Sequence, residues 1–284
     1  MMMSMPLAEQ GSSAVRSLCE LWAKRTVGEW MAKTVDGEMI GERLVAELKM
    51  MRKDGTDLGS KRATGEVVAG LVRMKETEVF AAPFPFSEVF RELSESGELD
   101  PGSYLMDISA RLSEADETLS RQFTAAFLAR GFRAFPSFLR ETDFAVVLGE
   151  VLREADKRAK VVAGGLADDV VGHADLFLSF RGQRYRLWHY LSTDRALSSL
   201  MQKLKGEARG NLKRGLHVFC PVDLRSPEDC ESVCGWRLCS RNYAETTRNL
   251  LARGSVVSYA RMLQDLNRPS LFGEPFVMRK GWLG

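Results

Sequence analysis

The chain has 284 residues, with 40 Lys+Arg against 38 Asp+Glu and a formal net charge of +2. Hydrophobic residues make up 45% and charged residues 27%, proportions that exclude collagen-like, disordered and disulfide-scaffold classes. Near-neutrality over the whole chain also argues, at first reading, against a polyanionic partner. No apolar run approaches the roughly 20 residues of a membrane helix. Met1 to Met5 and Pro6-Leu7 show no basic cluster followed by an apolar core. Five cysteines are too few for a disulfide framework at this length, so a cytoplasmic, reducing setting without membrane contact is expected.

The first half reads as helical. Residues 12–33 place Val15, Leu18, Leu21, Trp22, Trp30 and Met31 near helical spacing, and residues 37–51 repeat the pattern with Ile40, Leu44, Val45 and Leu48. A turn is expected around Gly55 and Gly59, and residues 64–75 fit either helix or strand. Pro83 and Pro85 interrupt the chain before a short helix at 87–95 that ends at Gly97. Asp100-Pro101-Gly102 signals a turn, and a helix is expected from about Tyr104 to Arg130. Gly131 to Pro136 reads as a joint, with Pro136 suited to the first turn of a new helix that continues to about Arg158.

Strands are expected next. Val161-Val162-Ala163 is a short apolar run closed by Gly164-Gly165. Residues 175–180 and 184–190 flank Arg181-Gly182-Gln183 as a hairpin. A basic helix follows at about 194–206, with Leu197, Leu200, Met201 and Leu204 on its buried side. Strands at 216–220 and about 235–239 precede helices near 241–252 and 256–266. The expected fold is α+β: a helical N-terminal region (residues 1–132), with a protein-contact role, followed by a mixed β-sheet flanked by helices (residues 133–284).

Charge is divided between the halves. Residues 1–150 hold 18 Lys+Arg against 24 Asp+Glu, net −6, and residues 151–284 hold 22 against 14, net +8. Residues 181–214 contain nine basic side chains, Arg181, Arg184, Arg186, Arg195, Lys203, Lys205, Arg209, Lys213 and Arg214, opposed only by Asp194 and Glu207. A basic ridge on a hairpin and its following helix suits phosphates. Tyr185 and Trp188 are candidates for base stacking if their rings are open.

The order helix, short strand, hairpin, helix, strand over roughly residues 136–220 resembles the core of PD-(D/E)XK nucleases, a restriction-endonuclease-like fold. That resemblance implies a metal-dependent site. An Asp opens the second strand, where Asp175 stands, and a helix Glu often completes the set, where Glu141 stands with Phe138, Ala145 and Leu148 on its face. The family's Glu-x-Lys on the third strand is replaced by Trp188-His189-Tyr190, and neither Trp nor Tyr supplies an Mg²⁺ ligand set. The resemblance therefore implies a degenerate member that binds nucleic acid, DNA or RNA, with little or no cleavage. Such modules serve in mobile-element or phage-defence complexes. No cofactor is expected, or Mg²⁺ if Glu141 and Asp175 retain residual nuclease activity. The alternative is an adaptor subunit whose basic half docks an acidic protein.

Residues 175–182, DLFLSFRG, are also similar to the first strand of TIR domains, where a helix follows; the strand character of RYRLWHY departs from that. Cys220, Cys230, Cys234 and Cys239 fall within twenty residues, with His217 nearby. Their spacing includes no Cys-x-x-Cys pair, and Cys220 and Cys239 sit in apolar strand contexts, so buried thiols are expected in place of a metal site. No nucleophile elbow, P-loop or dinucleotide fingerprint is present.

Overall fold

The computed structural model describes residues 11–24, 86–115, 117–163, 175–193, 197–198, 200–201, 204, 215–233, 236–265 and 274–280. The elements expected at 37–51, 55–59 and 64–75, and the prolines at 83 and 85, lie outside these. The chain divides into two compact units, residues 1–140 with 232–237 and residues 141–231 with 238–284. Among the described residues, no helix is long and apolar enough to cross a membrane.

The first unit is helical: α1 (Ser12–Lys24), α2 (Phe86–Ser96), α3 (Pro101–Ala115) and the first part of α4 (Glu117–Ala155). In α1 the buried stripe is Val15, Cys19 and Trp22, an i, i+4, i+7 set on one helical face. Phe135 is the hub of an aromatic cluster, 5.2 Å from both Phe90 and Tyr104, 5.7 Å from Trp22 and 5.5 Å from Trp236. Edge-on and tilted pairs of this kind contribute about 0.5–1.5 kcal/mol each beyond their buried area.

Two sequence expectations change here. The turn at Asp100-Pro101-Gly102 is a helix start: Asp100 Oδ1 accepts from the backbone N–H groups of Gly102 at 2.7 Å and Ser103 at 3.0 Å. Pro101 takes the first helical position, where its missing N–H costs nothing. The joint at Gly131–Pro136 is also absent, because α4 runs through it with Pro136 inside the helix. An internal proline costs about 3 kcal/mol, and full burial of the neighbouring Phe135 and Leu139 offsets that. At Gly131 a side chain would collide with Ile108 and Phe86, so close helix packing, not a break, explains this glycine. The division between units falls at Arg140 and Glu141, within α4.

The second unit is built on a mixed six-stranded sheet: β1 (Lys160–Ala163), β2 (Leu176–Phe180), β3 (Gln183–Leu191), β4 (Gly215–Val222), then β7 (Val257–Ser258) and β8 (Phe276–Lys280), in the order β1-β2-β3-β4-β8-β7. β3 pairs with β4 in parallel, as does β7 with β8; the other neighbours are antiparallel. A separate two-stranded pair joins β5 (Cys230–Val233) and β6 (Trp236–Cys239). Helices α5 (Arg241–Arg253) and α6 (Tyr259–Asp265) complete the α+β arrangement.

Alternation along the strands divides two cores. Leu176, Leu178, Phe180, Tyr185, Leu187, Leu216, Val218, Cys220 and Val277 pack with Phe144, Leu148, Leu152 of α4 and Tyr243, Ala244 and Leu251 of α5. On the opposite face Trp188, Phe219, Phe276 and Met278 pack with Met262 of α6 and with Leu197, Leu200, Met201 and Leu204. Those four residues are helical and lie in the connection that parallel strands require.

The hairpin between β2 and β3 closes through Arg181 (φ 48) and Gly182 (φ 76). Positive φ at both positions is the twist-matched two-residue turn, usually Asn-Gly or Asp-Gly. An arginine in that conformation costs about 1–2 kcal/mol. Asp156 compensates by accepting from the backbone N–H of Arg181 at 2.7 Å and of Arg158 at 3.0 Å. The Arg181 guanidinium also lies 5.2 Å over the Phe180 ring. At the start of α5, Ser240 caps the helix, its Oγ accepting from Tyr243 N at 3.1 Å and donating to Glu228 O.

Ser240→Ala removes both bonds from a buried cap and is expected to lower unfolding free energy by about 1–2 kcal/mol in urea titration, with an unchanged m-value. The Arg181 and Arg158 N–H groups hold the Asp156 carboxyl below its ordinary range. The stabilisation it gives is complete above the unfolded value near pH ~4 and is lost as pH falls through the folded value. Asp156→Asn is therefore expected to be less stable than the parent at neutral pH, and a pH series of urea melts is expected to show the two curves converging in acid.

Candidate nucleic-acid interface

Asp175 precedes β2, and its backbone N–H donates to Leu187 O at 3.0 Å. Its Oδ2 accepts from the backbone N–H of His189 at 2.6 Å. The carboxylate therefore tethers the start of β2 to the third strand. His189 is buried and stacks on Phe144 with ring centroids 4.8 Å apart and 22° between planes. Its Nε2 lies 3.4 Å from Cys239 Sγ, and the backbone N–H of Cys239 donates to Asp143 Oδ2 at 3.1 Å. Asp175, His189, Cys239 and Asp143 are thus linked through hydrogen bonds, with the His189 ring and Asp143 on the α4 side of the sheet. Cys220 stands beside His189 in the β3–β4 register, and burial pushes its thiol well above the ordinary range.

The inward carboxylate of this stretch of α4 is Asp143, at 0% exposure, whereas Glu141 is half-buried. Helical phase explains the difference: Asp143 projects with Phe144 and Val147 toward the sheet, and Cys239 N, distant in sequence, supplies its donor. Trp188, His189 and Tyr190 on β3 are packed rings. Trp188 is 4% exposed, stacks on Phe219 at 5.5 Å and donates from Nε1 to His217 Nδ1 at 3.1 Å. Among the described residues no three His, Cys, Asp or Glu side chains stand together as metal ligands. Asp143 and Asp175 each have an oxygen committed to a backbone N–H, and aromatic rings flank His189 and Trp188.

The structure also corrects the base-stacking residues. Trp188 and Tyr185 are buried in opposite cores, so neither ring has an open face. Cys19, Cys220, Cys230 and Cys239 are buried and in no disulfide; Cys234 lies outside the described residues. So do Arg195, Lys203, Lys205, Arg209, Lys213 and Arg214. The strand-to-helix transition of a TIR domain is replaced by the β2–β3 hairpin.

The three remaining arginines lie on or beside the hairpin: Arg181 and Arg184 are exposed and Arg186 half-buried. Register joins one of them, Arg184, to lysines that sequence reading missed. Lys160 pairs with Ser179, Ser179 with Arg184, and Gly215 with Lys280. Tyr185 pairs with Leu216, so Arg184 stands beside Gly215. Directly paired residues share a face, and Lys160, Ser179, Arg184, Gly215 and Lys280 therefore make one lateral row across five strands. The adjoining row is Val162, Phe177, Arg186, His217, Met278 and Val257. Gly215 has φ 136, and a Cβ there would lie 3.0 Å from the Arg186 guanidinium; glycine leaves room for that cation between the rows. Lys280 Nζ lies 5.1 Å over the Tyr259 ring. Neither row contains a carboxylate.

A separate cleft of about 450 Å³ beside α5 is lined by Glu228, Asp229, Asn242, Asn249, Arg253 and Glu274 among others. Burial raises the Asp229 carboxyl above its ordinary range, aided by Asp223 and Glu228. Its mixed charge offers no single-sign field for a polyanion. No family model, curated protein or solved structure matches the chain.

A thiol reagent at neutral pH is expected to leave Cys220 and Cys239 unmodified in the native protein and to label both in denaturant, read by peptide mass spectrometry. Rapid native labelling of Cys239 would instead mean that the His189 contact activates an accessible thiolate.

Proposed function

We propose that this chain is a nucleic-acid-binding protein on a restriction-endonuclease-like core that has lost the cleavage chemistry, serving as a subunit of a mobile-element or phage-defence complex. The observation that carries the binding reading is the row Lys160, Arg184 and Lys280, with Arg186 beside it and no carboxylate in either row. Cations fixed on alternate strands of one sheet neutralise phosphates without first ordering a loop, so the entropic cost of association is small. The core reading is supported by the element order: the C-terminal part of α4, β1, the β2–β3 hairpin, the helical residues before β4, and β4 itself. The loss of cleavage is supported by Trp188, His189 and Tyr190 at the Glu-x-Lys position and by the commitment of Asp175 to His189 N.

An acidic protein docked on the same row is the competing reading. Salt separates the two by magnitude. About four phosphate contacts give a log–log slope of affinity against salt near −3. Fluorescence anisotropy with labelled oligonucleotides is expected to return such a slope, and Lys160→Glu with Arg184→Glu is expected to abolish most of the binding while leaving the thermal melt in place. Affinity that ignores ionic strength, or no binding at low salt, would remove nucleic acid as the partner. Incubation with Mg²⁺ or Mn²⁺ is expected to leave the strands intact; cleavage abolished by Asp175→Ala would restore the active-nuclease reading.

A further inference from the structure

We infer that the open part of this sheet face takes single-stranded nucleic acid, with a base on Phe177 and the flanking phosphates on Lys160 and Arg184. The inference rests on the nucleic-acid reading above and goes beyond charge to the form of the strand. Two observations carry it: the placement of apolar side chains beside the cations, and their exposure.

Along the second row, exposure falls from β1 toward β4. Val162 is 58% exposed and Phe177 half-buried, whereas His217 and Met278 are fully buried. Val162 and Phe177 are directly paired, so their side chains lie together on the face that carries Lys160 and Arg184. Arg186 is the partner of Phe177 on the other side. An aromatic ring and a methyl surface thus lie in a frame of three cations, with Ser179 supplying a hydroxyl between Lys160 and Arg184.

A uniform polyanion site needs only the cations. A duplex keeps its base faces stacked inside, so Phe177 and Val162 would meet sugar and phosphate, losing hydration without gaining a partner. A single strand presents base faces that stack on aromatic rings, while its backbone tracks neighbouring cations. The dimensions agree: neighbouring strands are about 4.8 Å apart. Lys160 and Arg184 are two strands apart, a span of about 10 Å that brackets one base and its two phosphates. The row continues to Lys280 over two further strand spacings, giving a track of about 19 Å. The flat aromatic platform that Trp188 and Tyr185 do not provide is supplied by Phe177.

The test uses the full chain and labelled oligonucleotides of one mixed sequence as single-stranded DNA, single-stranded RNA and the DNA duplex, at one salt concentration. Either single strand is expected to bind about tenfold or more tightly than the duplex; comparison of the two single strands then identifies the sugar preferred. Phe177→Ala is expected to weaken single-strand binding about tenfold, the loss of one stacked base, with duplex binding little changed and Phe177→Tyr close to the parent. Because Phe177→Ala could disturb the sheet, photocrosslinking of a bromouracil-containing single strand to the parent protein provides a second reading, with the adduct expected on residues 175–180. Duplex binding equal to or tighter than single-strand binding would overturn the inference while leaving the nucleic-acid reading standing. Equal loss for both forms in a folded Phe177→Ala variant, or an adduct confined to other segments, would overturn it as well. Absence of binding to all three would overturn the nucleic-acid reading itself.

Discussion

The parallel pairing of β3 with β4 is the constraint from which the second unit follows. Parallel neighbours require a crossover, and their central position requires cover on both faces. Full burial of Leu187 and Val218 on one face and Phe219 on the other is worth about 1.5–3 kcal/mol per side chain. β3 then has no freedom of register, since a one-residue slip would exchange Leu187 and His189 for Trp188 and Arg186. The same pairing that fixes the cores fixes which cations reach solvent. Cover is complete over the middle of the sheet, and it ends toward β1 and along the row that begins at Lys160.

The two faces of β3 carry opposite chemistry. On the α4 side, His189 is held between Phe144, Cys239 and the β3–β4 ladder, and the Asp143 carboxylate is tied to a backbone N–H; Asp175 holds the His189 N–H at the start of β2. Groups satisfied in this way stabilise a unique packing, and deletion of one partner leaves the other desolvated at a cost of about 1–3 kcal/mol. The polar residues of this region therefore act as fasteners between α4, β3 and β6. On the other face, the absent side chain of Gly215 leaves room for the Arg186 guanidinium, and neither row contains a carboxylate. A surface of that kind suits the polyanionic partner proposed above.

Much of this was legible in the sequence where local chemistry decides structure. The hairpin followed from Arg181-Gly182 between alternating strands, and the covering face of the crossover followed from Leu197, Leu200, Met201 and Leu204, which pack as their spacing predicts. Local signals misled where packing overrides them. Pro136 reads as a helix start, yet Phe135 and Leu139 carry α4 straight through it. Glu141 reads as the inward acid on apolar spacing alone, whereas Asp143 finds its donor on a strand 96 residues away. Strand β8 went unread because Phe276 to Met278 is an apolar run of only three residues, with no alternation to mark it. The cationic row was illegible for the same reason. Lys160 and Lys280 stand at opposite ends of the unit's sequence, and only sheet register makes them neighbours.

The central claim is that fixed cations on one sheet face, not the polar residues on the α4 side, meet the partner. Lysine footprinting tests this most directly: acetylation of surface amines is measured by mass spectrometry with and without bound oligonucleotide. The account predicts protection of Lys160 and Lys280 and unchanged modification of Lys157, which is exposed in the turn before β1. Full reactivity of Lys160 and Lys280 in the complex, or protection of Lys157 alone, would contradict it.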